Sequence, residues 1–531
     1  MTQVLVPIAA DTLAQAQRDV ERAFALGADG IELRLDLMPD LGDPDIRALC
    51  AAVPALAPIL LTIRSQSEGG EYDGDDDDRI SRLIALGPHV RAIDVEHVLW
   101  RRSANIRHKV VLALRRARHV SQESGRERIE HEGRRRLVLS RHFFGGRPAT
   151  LSAELIAMLA EPACDVVKIA WTARTIRDNF EAFDLMRESA KPLIAVCMGE
   201  AGILSRVLCR KFGAYAAFAA LDAAGRTAPG QVTLEELKRK YRWNAIKSDT
   251  AVFGVVGHPV AHSLSPRIHN AAFAAARVNA CYLPMLVTPG YEPFKAFMAE
   301  VLARPWFGLR GLSITAPHKQ NALCFVRERS GRIDESADRI GAANTINVGA
   351  GGELSAANTD MKAVVDSLCT GMNVSAADLK DLRVHVLGAG GVARAMVAGL
   401  SAAGARVVVF NRSADRGEAL ATEFGCAHAA WDDRTRNAPD LLINATTLGQ
   451  SPRTRDTPIP AEALDAKTVV FDAIYHPRPT RLLAEARERG CRTIDGLEMF
   501  LLQAAAQWRL WFDREPPAGV MREAVLRRFQ K

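Results

Sequence analysis

Two side chains that can act together on a ketone lie in the first half of the sequence. Lys168 is surrounded by apolar residues in Asp165-Val-Val-Lys-Ile-Ala-Trp171, and His142 follows the preceding apolar run. A desolvated lysine amine is neutral and attacks ketones, and a nearby imidazole can move protons on the adduct. For the lysine alone, an ion pair with Asp or Glu inside the fold is the alternative. The combination at two consecutive strand ends favours catalysis.

A glycine-rich segment in the second half has the spacing of a dinucleotide site. Val386-Leu-Gly-Ala-Gly-Gly-Val-Ala-Arg394 follows the predicted strand Arg383–Leu387 and opens the predicted helix Val392–Ala403. Glycines let the backbone turn tightly, so that the helix N-terminus faces a pyrophosphate. The residues predicted to bind the cofactor in this loop are Gly388, Ala389, Gly390 and Gly391.

The end of the next predicted strand, Arg406–Phe410, bears on the choice between NAD and NADP. An NAD site usually has a carboxylate there, about 20 residues after the glycines, to bind the ribose 2′-hydroxyl. Here the nearest carboxylate, Asp415, comes later, and arginines favour a 2′-phosphate. The sequence therefore predicts NADP, with ordinary surface arginines as the alternative. The residues assigned to this part of the cofactor site are Asn411, Arg412, Ser413 and Arg416.

Four further polar residues in the second half have ordinary explanations when each is taken singly. Ser263 and Ser265 precede a predicted helix, where either could be a cap. Lys319, in Ala-Pro-His-Lys, and Asp360, in Asn-Thr-Asp, would each pass as a surface charge. Their interpretation depends on the surrounding motifs.

Eight short apolar runs, each followed by a helical stretch, fill residues 1–236, a pattern that predicts a (β/α)8 barrel rather than an open sheet. The runs are Val4–Ile8, Gly30–Leu35, Pro58–Ile63, Val90–Val95, Leu137–Ser140, Asp165–Ala170, Pro192–Val196 and Tyr215–Leu221. Glu32, Arg34 and Asp36 alternate along the second run, so all three can point into the barrel. Ionisable residues at several strand ends are what a barrel active site requires.

The second half is predicted to be a two-lobed α/β unit, beginning after a boundary near residue 245. Strands and helices alternate over residues 250–355, and a Rossmann-like pattern occupies residues 356–490. The apolar helix Leu497–Phe512, within the final segment 491–531, is expected to pack back on the first lobe. The predicted fold class is thus α/β, a TIM barrel over residues 1–240 followed by this unit.

Composition excludes several other classes of protein. With 48% apolar and 25% charged residues among 531, the chain is neither disordered nor fibrous. Its apolar stretches are too short to span a membrane, no signal peptide is present at the N-terminus, and the nine cysteines have no metal or disulfide spacing. These features predict a soluble, cytoplasmic protein without a metal. The acidic run Asp75–Asp78 is expected to be an exposed loop.

The net charge of +7 does not predict nucleic-acid binding. Arg101–Arg136 holds eleven arginines, but it also holds four glutamates and no aromatic residue for base stacking. A solvated helical face or an insertion explains this stretch more simply, although its role stays open. Anionic small substrates would account equally well for the basic balance.

Five segments of the first half together resemble type I 3-dehydroquinate dehydratase. They are Ile31-Glu-Leu-Arg-Leu-Asp36, Thr62-Ile-Arg-Ser-Gln-Ser-Glu-Gly-Gly70, Val138-Leu-Ser-Arg-His142, Val167-Lys-Ile169 and Thr227-Ala-Pro-Gly-Gln231. The resemblance implies a Schiff base between Lys168 and the C3 ketone of 3-dehydroquinate, with His142 as proton carrier and Glu68 positioning it. It also implies that substrate hydroxyls and carboxylate are bound by Glu32, Arg34, Arg64, Arg206, Thr227 and Gln231. Thr227 stands where many members have serine, which keeps the hydroxyl.

Residues of about 250–520 resemble shikimate dehydrogenase. The motifs are Gly257–Pro266, Ala316–Lys319, Ala343–Thr345, Asn358–Asp360, Ile443–Thr446, Asp472–Tyr475 and Gly496–Gln503. The resemblance implies that Lys319 and Asp360 are the catalytic pair, with NADPH supplying hydride to the ring ketone. It places the substrate carboxylate on Ser263, Ser265 and Tyr475, the ring hydroxyls on Thr315, Asn344 and Gln503, and part of the cofactor on Gly496 and Met499. Ser313, Met361 and Gln450 depart from the pattern of many bacterial members, so specificity is less firmly implied than reaction type.

The two resemblances describe consecutive reactions, because the first produces the 3-dehydroshikimate that the second reduces. Together they resemble the bifunctional 3-dehydroquinate dehydratase/shikimate dehydrogenases, whose partners are small-molecule substrates and NADP(H) rather than nucleic acid or membrane. Two alternatives stay open: an NAD-dependent catabolic quinate or shikimate dehydrogenase, and a sensor that binds ligand without turnover. Oligomeric state and channelling between the sites are not fixed by the sequence.

Overall fold

The computed structural model describes residues 2–116 and 135–529, in which the chain forms two compact units. The first comprises Met1–Thr250 with Asn279–Val287, and the second Ala251–Val278 with Thr288–Lys531. The change of unit after Thr250 lies close to the boundary predicted near residue 245. Half of the arginine-rich stretch, residues 117–134, lies outside the described residues.

The first unit is a parallel eight-stranded barrel, as predicted. Its strands are β1 Gln3–Ile8, β2 Gly30–Arg34, β3 Ile59–Thr62, β4 Ala92–Glu96, β5 Arg136–Phe143, β6 Val166–Thr172, β7 Leu193–Met198 and β8 Ala216–Phe218. They are paired in the order β7-β6-β5-β4-β3-β2-β1-β8. At the remaining seam, the N–H of Tyr215 donates to the carbonyl of Leu193 over 2.9 Å, so the barrel is nearly closed.

Helices follow the barrel strands along the chain, and α1 and α3 begin at N-cap residues whose side chains accept backbone N–H groups. They are α1 Leu13–Ala25, α2 Asp43–Ala52, α3 Asp76–Leu86, α4 His97–Arg102, α5 Ala104–Arg116, α6 Leu151–Ala160, α7 Asp178–Glu188 and α8 Ile203–Leu208. Helix α1 buries Ala16, Val20 and Ala23, which share one face at helical spacing. Before the boundary to the second unit, Glu236–Lys240 form a single π-helical turn.

The run Asp75–Asp78 is largely exposed, as expected, but the expectation of a loop is wrong. Asp75 is the N-cap of α3, where its side chain accepts the backbone N–H groups of Asp77 and Asp78 over 2.7 and 3.2 Å. Asp76 to Asp78 form the first turn, in which carboxylates are stabilised by the helix dipole. A run of acidic residues thus starts a helix because its charges face the positive end of that helix.

The first lobe of the second unit is a mixed sheet. Its neighbouring strands are, in order, β9 Ala251–Gly257, β11 Leu309–Ile314, β13 Thr345–Val348, β14 Leu354–Ala357 and β12 Arg332–Ile333. The strand β10, Ala280–Leu286, lies in the segment that groups with the first unit. The helices are α9 Ser265–Ala275, α10 Tyr291–Leu302, α11 Lys319–Glu328 and α12 Glu335–Ile340.

The second lobe is a parallel sheet with the strand order of a dinucleotide-binding fold. Its order is β17 Ala427–Ala430, β16 Arg406–Asn411, β15 Arg383–Leu387, β18 Leu441–Asn444, β19 Val469–Asp472 and β20 Arg492–Asp495. The helices are α13 Asp360–Met372, α14 Gly391–Ala402, α15 Ala414–Phe424, α16 Arg481–Glu488, α17 Leu497–Phe512 and α18 Val520–Phe529. The order reverses between β15 and β18, and such a switch point is where this fold binds its ligand.

Helix α17 joins the two lobes of the second unit. It contacts α13 on one side and strands β11 and β13 on the other. Near its C-terminal end, Trp511 Nε1 donates to the carbonyl of Ile346 over 3.3 Å and its ring lies 5.1 Å from that of Phe253. In the described ranges, no helix combines the length and apolar character needed to cross a membrane.

Candidate active sites

All nine site residues predicted in the first half line one cavity at the C-terminal end of the barrel strands. They are Glu32, Arg34, Arg64, Glu68, His142, Lys168, Arg206, Thr227 and Gln231. They come from strands β2, β5 and β6, from the end of β3 and the turn after it, from helix α8 and from the segment after β8. The barrel therefore brings together residues that the sequence could only assign one by one.

Lys168 lies on β6 and makes the ion pairs that were the alternative to catalysis. Its Nζ is 3.1 Å from Glu32 Oε1 and 3.2 Å from Asp94 Oδ2, and it lies 4.5 Å from the centre of the Phe218 ring. These ion pairs do not make Lys168 a purely structural residue, because its side chain also borders the cavity lined by His142. The ion pairs hold the amine in place at the cavity wall.

His142 is held by Glu68 in the geometry of a base. Glu68 Oε2 accepts the backbone N–H of His142 and lies 3.0 Å from Nδ1. Because this oxygen is an acceptor, Nδ1 carries the ring proton and Nε2 keeps its lone pair. Burial, with Arg64 and Lys168 nearby, holds the pKa of His142 well below its ordinary value of 6.5. The imidazole is therefore neutral and able to accept a proton at Nε2.

Arg141, which was not predicted as a site residue, holds the other oxygen of Glu68. Its Nη1 donates to Glu68 Oε1 over 2.6 Å, and its guanidinium lies 4.6 Å from the centre of the Phe143 ring. Burial raises the pKa of Glu68 above its ordinary value of 4.5, and Arg64 and Arg141 oppose that rise. Arg141 thus keeps ionised the carboxylate that orients His142.

If the first half catalyses the predicted dehydration, replacing Arg141 with methionine is expected to move the acidic limb of its pH–activity profile upward by about one pH unit. Glu68 accepts the Nδ1 proton of His142 only when ionised, and loss of the guanidinium raises the carboxyl pKa further. Activity would then be lost sooner as the pH falls, while the alkaline limb stays in place. Arg141→Lys, which keeps the charge, should restore most of the profile. An acidic limb identical to that of the unaltered protein would contradict this role.

Arg34 and Arg64 are engaged by acidic residues at the cavity wall. Arg34 makes a bidentate pair with Asp36, at 2.9 Å from Nε and 2.6 Å from Nη2. Arg64 lies 2.9 Å from Asp94 and donates to Ser140 Oγ over 2.7 Å. Fixed in this way, both guanidiniums border the cavity with little freedom, as preorganised binding groups do.

Arg206 differs from these two because it has no carboxylate partner in the described part of the chain. It is 5% exposed, its Nη2 donates to the carbonyl of Pro229 over 2.9 Å, and its Nε has no hydrogen-bond partner. Burial lowers its pKa to about 10. Gln231 Oε1 accepts from the Thr227 backbone N–H at 2.9 Å beside it. A buried cation without an acid is the feature expected of a carboxylate-binding site.

In the second unit, Lys319 and Asp360 form a buried pair. Lys319 Nζ lies 2.5 Å from Asp360 Oδ2, and the two side chains are each 7% exposed. Lys319 begins α11 and Asp360 begins α13, with the Asp360 backbone N–H donating to Asn358 Oδ1 over 3.0 Å. Neither is a surface charge, so the ordinary explanation for each residue taken singly does not hold.

The glycine loop lies directly against this lysine. A Cβ built on Gly391 would be 2.8 Å from Lys319 Cδ, too close for any side chain at that position without displacing the lysine. The N-terminus of α14, which is the predicted pyrophosphate position, is therefore adjacent to the Lys319 side chain. The predicted cofactor loop and the predicted acid–base pair are thus in direct contact.

The predicted substrate residues of the second unit lie around this pair. Asn344 Nδ2 donates to Thr359 Oγ1 over 2.8 Å, and its Oδ1 accepts the Thr359 backbone N–H at 2.9 Å. The methyl group of Thr315 packs on Gly257, where a Cβ would lie 2.3 Å away. Gln503 Nε2 donates to the carbonyl of Phe500 over 2.8 Å.

Neither serine is the N-cap residue of α9, but Ser263 accepts the first backbone N–H of that helix. The N-cap of α9 is Leu264, whose side chain makes no capping hydrogen bond, and Ser263 Oγ accepts the backbone N–H of Ser265 at 3.2 Å. The Tyr475 hydroxyl bonds to Ser263, and its ring stacks on Phe500 at 4.4 Å. Three hydroxyl groups thus occur on two neighbouring segments, an arrangement suited to a carboxylate.

Gln507 and Asp94 belong to the sites but were given no role from sequence. Gln507 Oε1 accepts from Ser313 Oγ over 2.6 Å, and its Nε2 donates to the carbonyl of Asn344 over 3.2 Å. Gln507 follows Gln503 by four residues, so the helical spacing was a usable signal. Asp94 ends the fourth strand and bonds to both Lys168 and Arg64, a position that also marks a site residue.

The cofactor residues fit a dinucleotide. Gly388 has φ +114°, and a Cβ there would lie 2.9 Å from the carbonyl oxygen of Ala445, so the tight turn requires glycine. Asn411 Nδ2 donates to the carbonyl of Ser413 over 2.8 Å and shapes the turn after β16. Gly496 packs against the carbonyl of Ala473, and Met499 lies in the core of this lobe. Among described residues no cluster of His, Cys, Asp or Glu suits a metal ion.

Arg412 and Arg416 are exposed near this turn, and neither pairs with an acidic residue of the described chain. Arg412→Gln is expected to raise KM for NADP by about 10- to 100-fold and to leave KM for NAD nearly unchanged, because a charged hydrogen bond to a 2′-phosphate is worth about 1.5–3 kcal/mol. Steady-state kinetics with both cofactors checks this. Arg406→Gln, which removes an exposed arginine paired with Asp381, is the matched control. Equal changes with NADP and NAD would exclude 2′-phosphate recognition by Arg412.

Models of four known families match the chain in succession. Type I 3-dehydroquinase matches residues 4–248, and the shikimate dehydrogenase substrate binding domain matches residues 255–346. Shikimate / quinate 5-dehydrogenase matches residues 372–498, and the shikimate 5′-dehydrogenase C-terminal domain matches residues 496–526.

Known proteins are similar to the whole chain or to its second half. The chloroplastic bifunctional 3-dehydroquinate dehydratase/shikimate dehydrogenase of Arabidopsis thaliana is 33% identical over 96% of this chain and 81% of its own length. An NADP-dependent shikimate dehydrogenase of Methanosarcina mazei is 39% identical over 52% of this chain and 99% of its own. A crystal structure of a shikimate dehydrogenase in complex with NADP+ covers 54% of this chain and 98% of its own at 33% identity, with a TM-score of 0.48.

Proposed function

Because the chain belongs to the family of bifunctional 3-dehydroquinate dehydratase/shikimate dehydrogenases, we propose that the two clusters described above are its two active sites. The chain is thus a lyase and an NADP-dependent oxidoreductase of the shikimate pathway. In the proposed assignment, residues 1–240 carry dehydration, residues 250–355 bind the second substrate, residues 356–490 bind NADP, and residues 491–531 complete the reductase.

In the proposed dehydration, Lys168 Nζ attacks the C3 ketone of 3-dehydroquinate and a water molecule leaves, giving a Schiff base. The iminium acidifies the adjacent C–H, and His142 Nε2 takes that proton while Glu68 holds Nδ1. His142 then returns the proton to the C1 hydroxyl, which leaves as water, and hydrolysis of the Schiff base frees 3-dehydroshikimate and the lysine.

Arg206, with Thr227 and Gln231, is proposed to bind the substrate carboxylate in this reaction. Glu32, Arg34 and Arg64 are proposed to bind the hydroxyls. The support is that Arg206 is buried without an acidic partner among the described residues, whereas Arg34 and Arg64 are held by carboxylates. A guanidinium without an acidic partner suits an incoming carboxylate. Guanidiniums whose charge is already balanced by a carboxylate suit neutral hydroxyls.

In the proposed reduction, NADPH when bound supplies a hydride to the ring ketone. Lys319 Nζ donates a proton to the ketone oxygen, and Asp360 fixes that ammonium and stabilises its charge. Ser263, Ser265 and Tyr475 bind the carboxylate, while Thr315, Asn344 and Gln503 bind the ring hydroxyls. The residues proposed to hold the cofactor are Gly388, Ala389, Gly390, Gly391, Asn411, Arg412, Ser413, Arg416, Gly496 and Met499.

The observation that carries the site assignment is the convergence of Lys168, His142 and the unpaired Arg206 on one cavity. The test is borohydride reduction in the presence of 3-dehydroquinate, followed by peptide mass spectrometry. We expect the substrate-derived mass on the peptide that contains Lys168 and no such mass in Lys168→Ala. A trapped adduct on another lysine would contradict the assignment.

One assay follows both reactions in the intact chain. With 3-dehydroquinate and NADPH, ultraviolet absorbance of the enone should rise first and NADPH absorbance should fall as shikimate forms. Parallel assays with NAD and with quinate separate this enzyme from a catabolic quinate dehydrogenase. A protein that only senses these ligands would bind them without either absorbance change.

A further inference from the structure

A second cavity lies at the opposite end of the barrel, where the strands begin. It is bordered by Thr2 before β1, Pro58 before β3, Arg91 before β4, Arg136 at the start of β5 and Tyr215 before β8. Arg136 and His142 are six residues apart on one strand, which places the two cavities about 20 Å apart along β5. Nothing in the dehydration mechanism uses this end.

An apolar layer separates the two cavities. Leu5, Leu60, Val138 and Ile194 form the floor of the second cavity and belong to one buried cluster, in which the most exposed of the four, Leu5, is 4% exposed. The same cluster includes Phe218, which borders the Lys168 cavity. A molecule at the strand beginnings therefore does not reach Lys168, so this is a separate site.

Cations dominate the wall of the second cavity. Arg91, Arg136, Arg210 and Lys247 border it, and none of the four pairs with a carboxylate of the described residues. Arg136 lies over the Tyr215 ring at 5.2 Å, and Arg210 lies over the Trp243 ring at 5.9 Å. The one acidic residue on the wall is Asp165, whose Oδ2 accepts the backbone N–H of Leu137 at 2.9 Å.

Several other arginines of the barrel have acidic partners. Arg82 and Arg147, on its outer helices and loops, pair with Asp43 and Glu181 at 2.9 and 2.7 Å. Like charges gathered around a concave surface repel one another, and a recessed wall concentrates their potential. An anion with two or more charges would relieve that repulsion, and arginine forks match phosphate and carboxylate oxygens.

We propose that the N-terminal end of the barrel binds a small multivalent anion, a phosphate compound or a polycarboxylate, at a site separate from the dehydratase cavity. Arg91 and Arg136 are the central ligands, because they start adjacent strands and their backbones are joined by a 2.9 Å hydrogen bond. Arg210 and Lys247 complete the cationic wall.

The test is calorimetric titration of the full chain, saturated with NADP+ and shikimate, with pyrophosphate in one arm and citrate in the other. Arg91→Met and Arg136→Met should each weaken binding by at least about tenfold. Arg18→Met, which removes an exposed arginine of α1, should leave affinity unchanged. If only pyrophosphate binds, the site is specific for phosphate compounds. If only citrate binds, it is specific for polycarboxylates. If both bind, the site recognises multivalent anions of either kind.

Dehydratase kinetics distinguish this site from the catalytic one. kcat and KM for 3-dehydroquinate should be unchanged in Arg91→Met and Arg136→Met, because neither residue borders the Lys168 cavity. If a methionine variant fails to fold, Arg91→Lys and Arg136→Lys keep the charge and should retain weakened binding. The proposal is overturned if neither anion binds, or if the arginine variants bind as the Arg18→Met control does.

Discussion

Replacing Lys168 with alanine is expected to abolish dehydration of 3-dehydroquinate, lowering kcat by at least about 10⁴-fold. The alanine cannot form the Schiff base, and no other lysine borders the cavity among the described residues. Without the iminium, the C–H beside the ketone keeps its low acidity and His142 has no activated proton to remove. The measurement is enone absorbance with 3-dehydroquinate as sole substrate.

The reductase activity of the same Lys168→Ala protein is the internal control. Reduction of added 3-dehydroshikimate with NADPH should proceed at the unaltered rate, because Lys319 and its pocket belong to the other unit. Loss of Lys168 leaves buried Glu32 without its cation, while Asp94 keeps its pair with Arg64, so thermal unfolding is measured alongside. A folded protein that had lost both activities would show that the two sites are not independent.

Replacing Lys319 with alanine is expected to give the converse result, a loss of reduction of about 10³-fold with dehydration intact. The ketone oxygen gains negative charge as hydride arrives, and the alanine provides neither a proton nor a positive charge. The loss should appear in kcat, measured as NADPH consumption with 3-dehydroshikimate.

Asp360→Asn separates proton donation from positioning at the same site. The amide keeps the shape next to Lys319 Nζ but removes the negative charge, so we expect a smaller loss than with Lys319→Ala. Binding of NADP, followed by fluorescence, should be little changed in Asp360→Asn. A reductase rate unaffected by Lys319→Ala would remove this lysine from the mechanism.

The regular elements and the site residues next to them could be predicted from local sequence. Eight β–α repeats predict the barrel, and Leu497–Phe512 is a helix with the predicted bounds. Lys168 and His142 could be paired because they are predicted on consecutive parallel strands, β5 and β6 in the structure, although Lys168 lies inside β6 rather than at its end. These predictions need only periodicity and the topology of a closed sheet.

Contacts that depend on side-chain direction could not be predicted in the same way. Arg141 alternates with His142 on β5, yet both reach Glu68, which lies on a short turn after β3. Nothing in the sequence near Arg141 indicates which carboxylate it binds. Ser313 and Gln507 are likewise almost two hundred residues apart, and only the packing of α17 on β11 brings them together.

Part of the arginine-rich stretch now has a structural explanation. Arg102 pairs with Asp76, and Lys109 lies 3.3 Å from Asp77, so α4 and α5 contact the acidic first turn of α3. Arg101 lies 3.6 Å from Glu154 on α6. The acidic run and the beginning of the basic stretch were interpreted separately from sequence, and they are partners.

The close approach of Gly391 to Lys319 has a consequence for how defects in the reductase are diagnosed. A single methyl group at position 391 would press on the lysine side chain from a Cβ only 2.8 Å from Cδ, and it would also lie in the turn proposed to bind the pyrophosphate. One substitution would thus imitate both a failure to bind nucleotide and a failure of acid catalysis. Steady-state kinetic constants alone would not show whether nucleotide binding or proton donation had been lost. A substitution at Gly391 therefore has to be analysed by measuring nucleotide affinity and proton transfer separately.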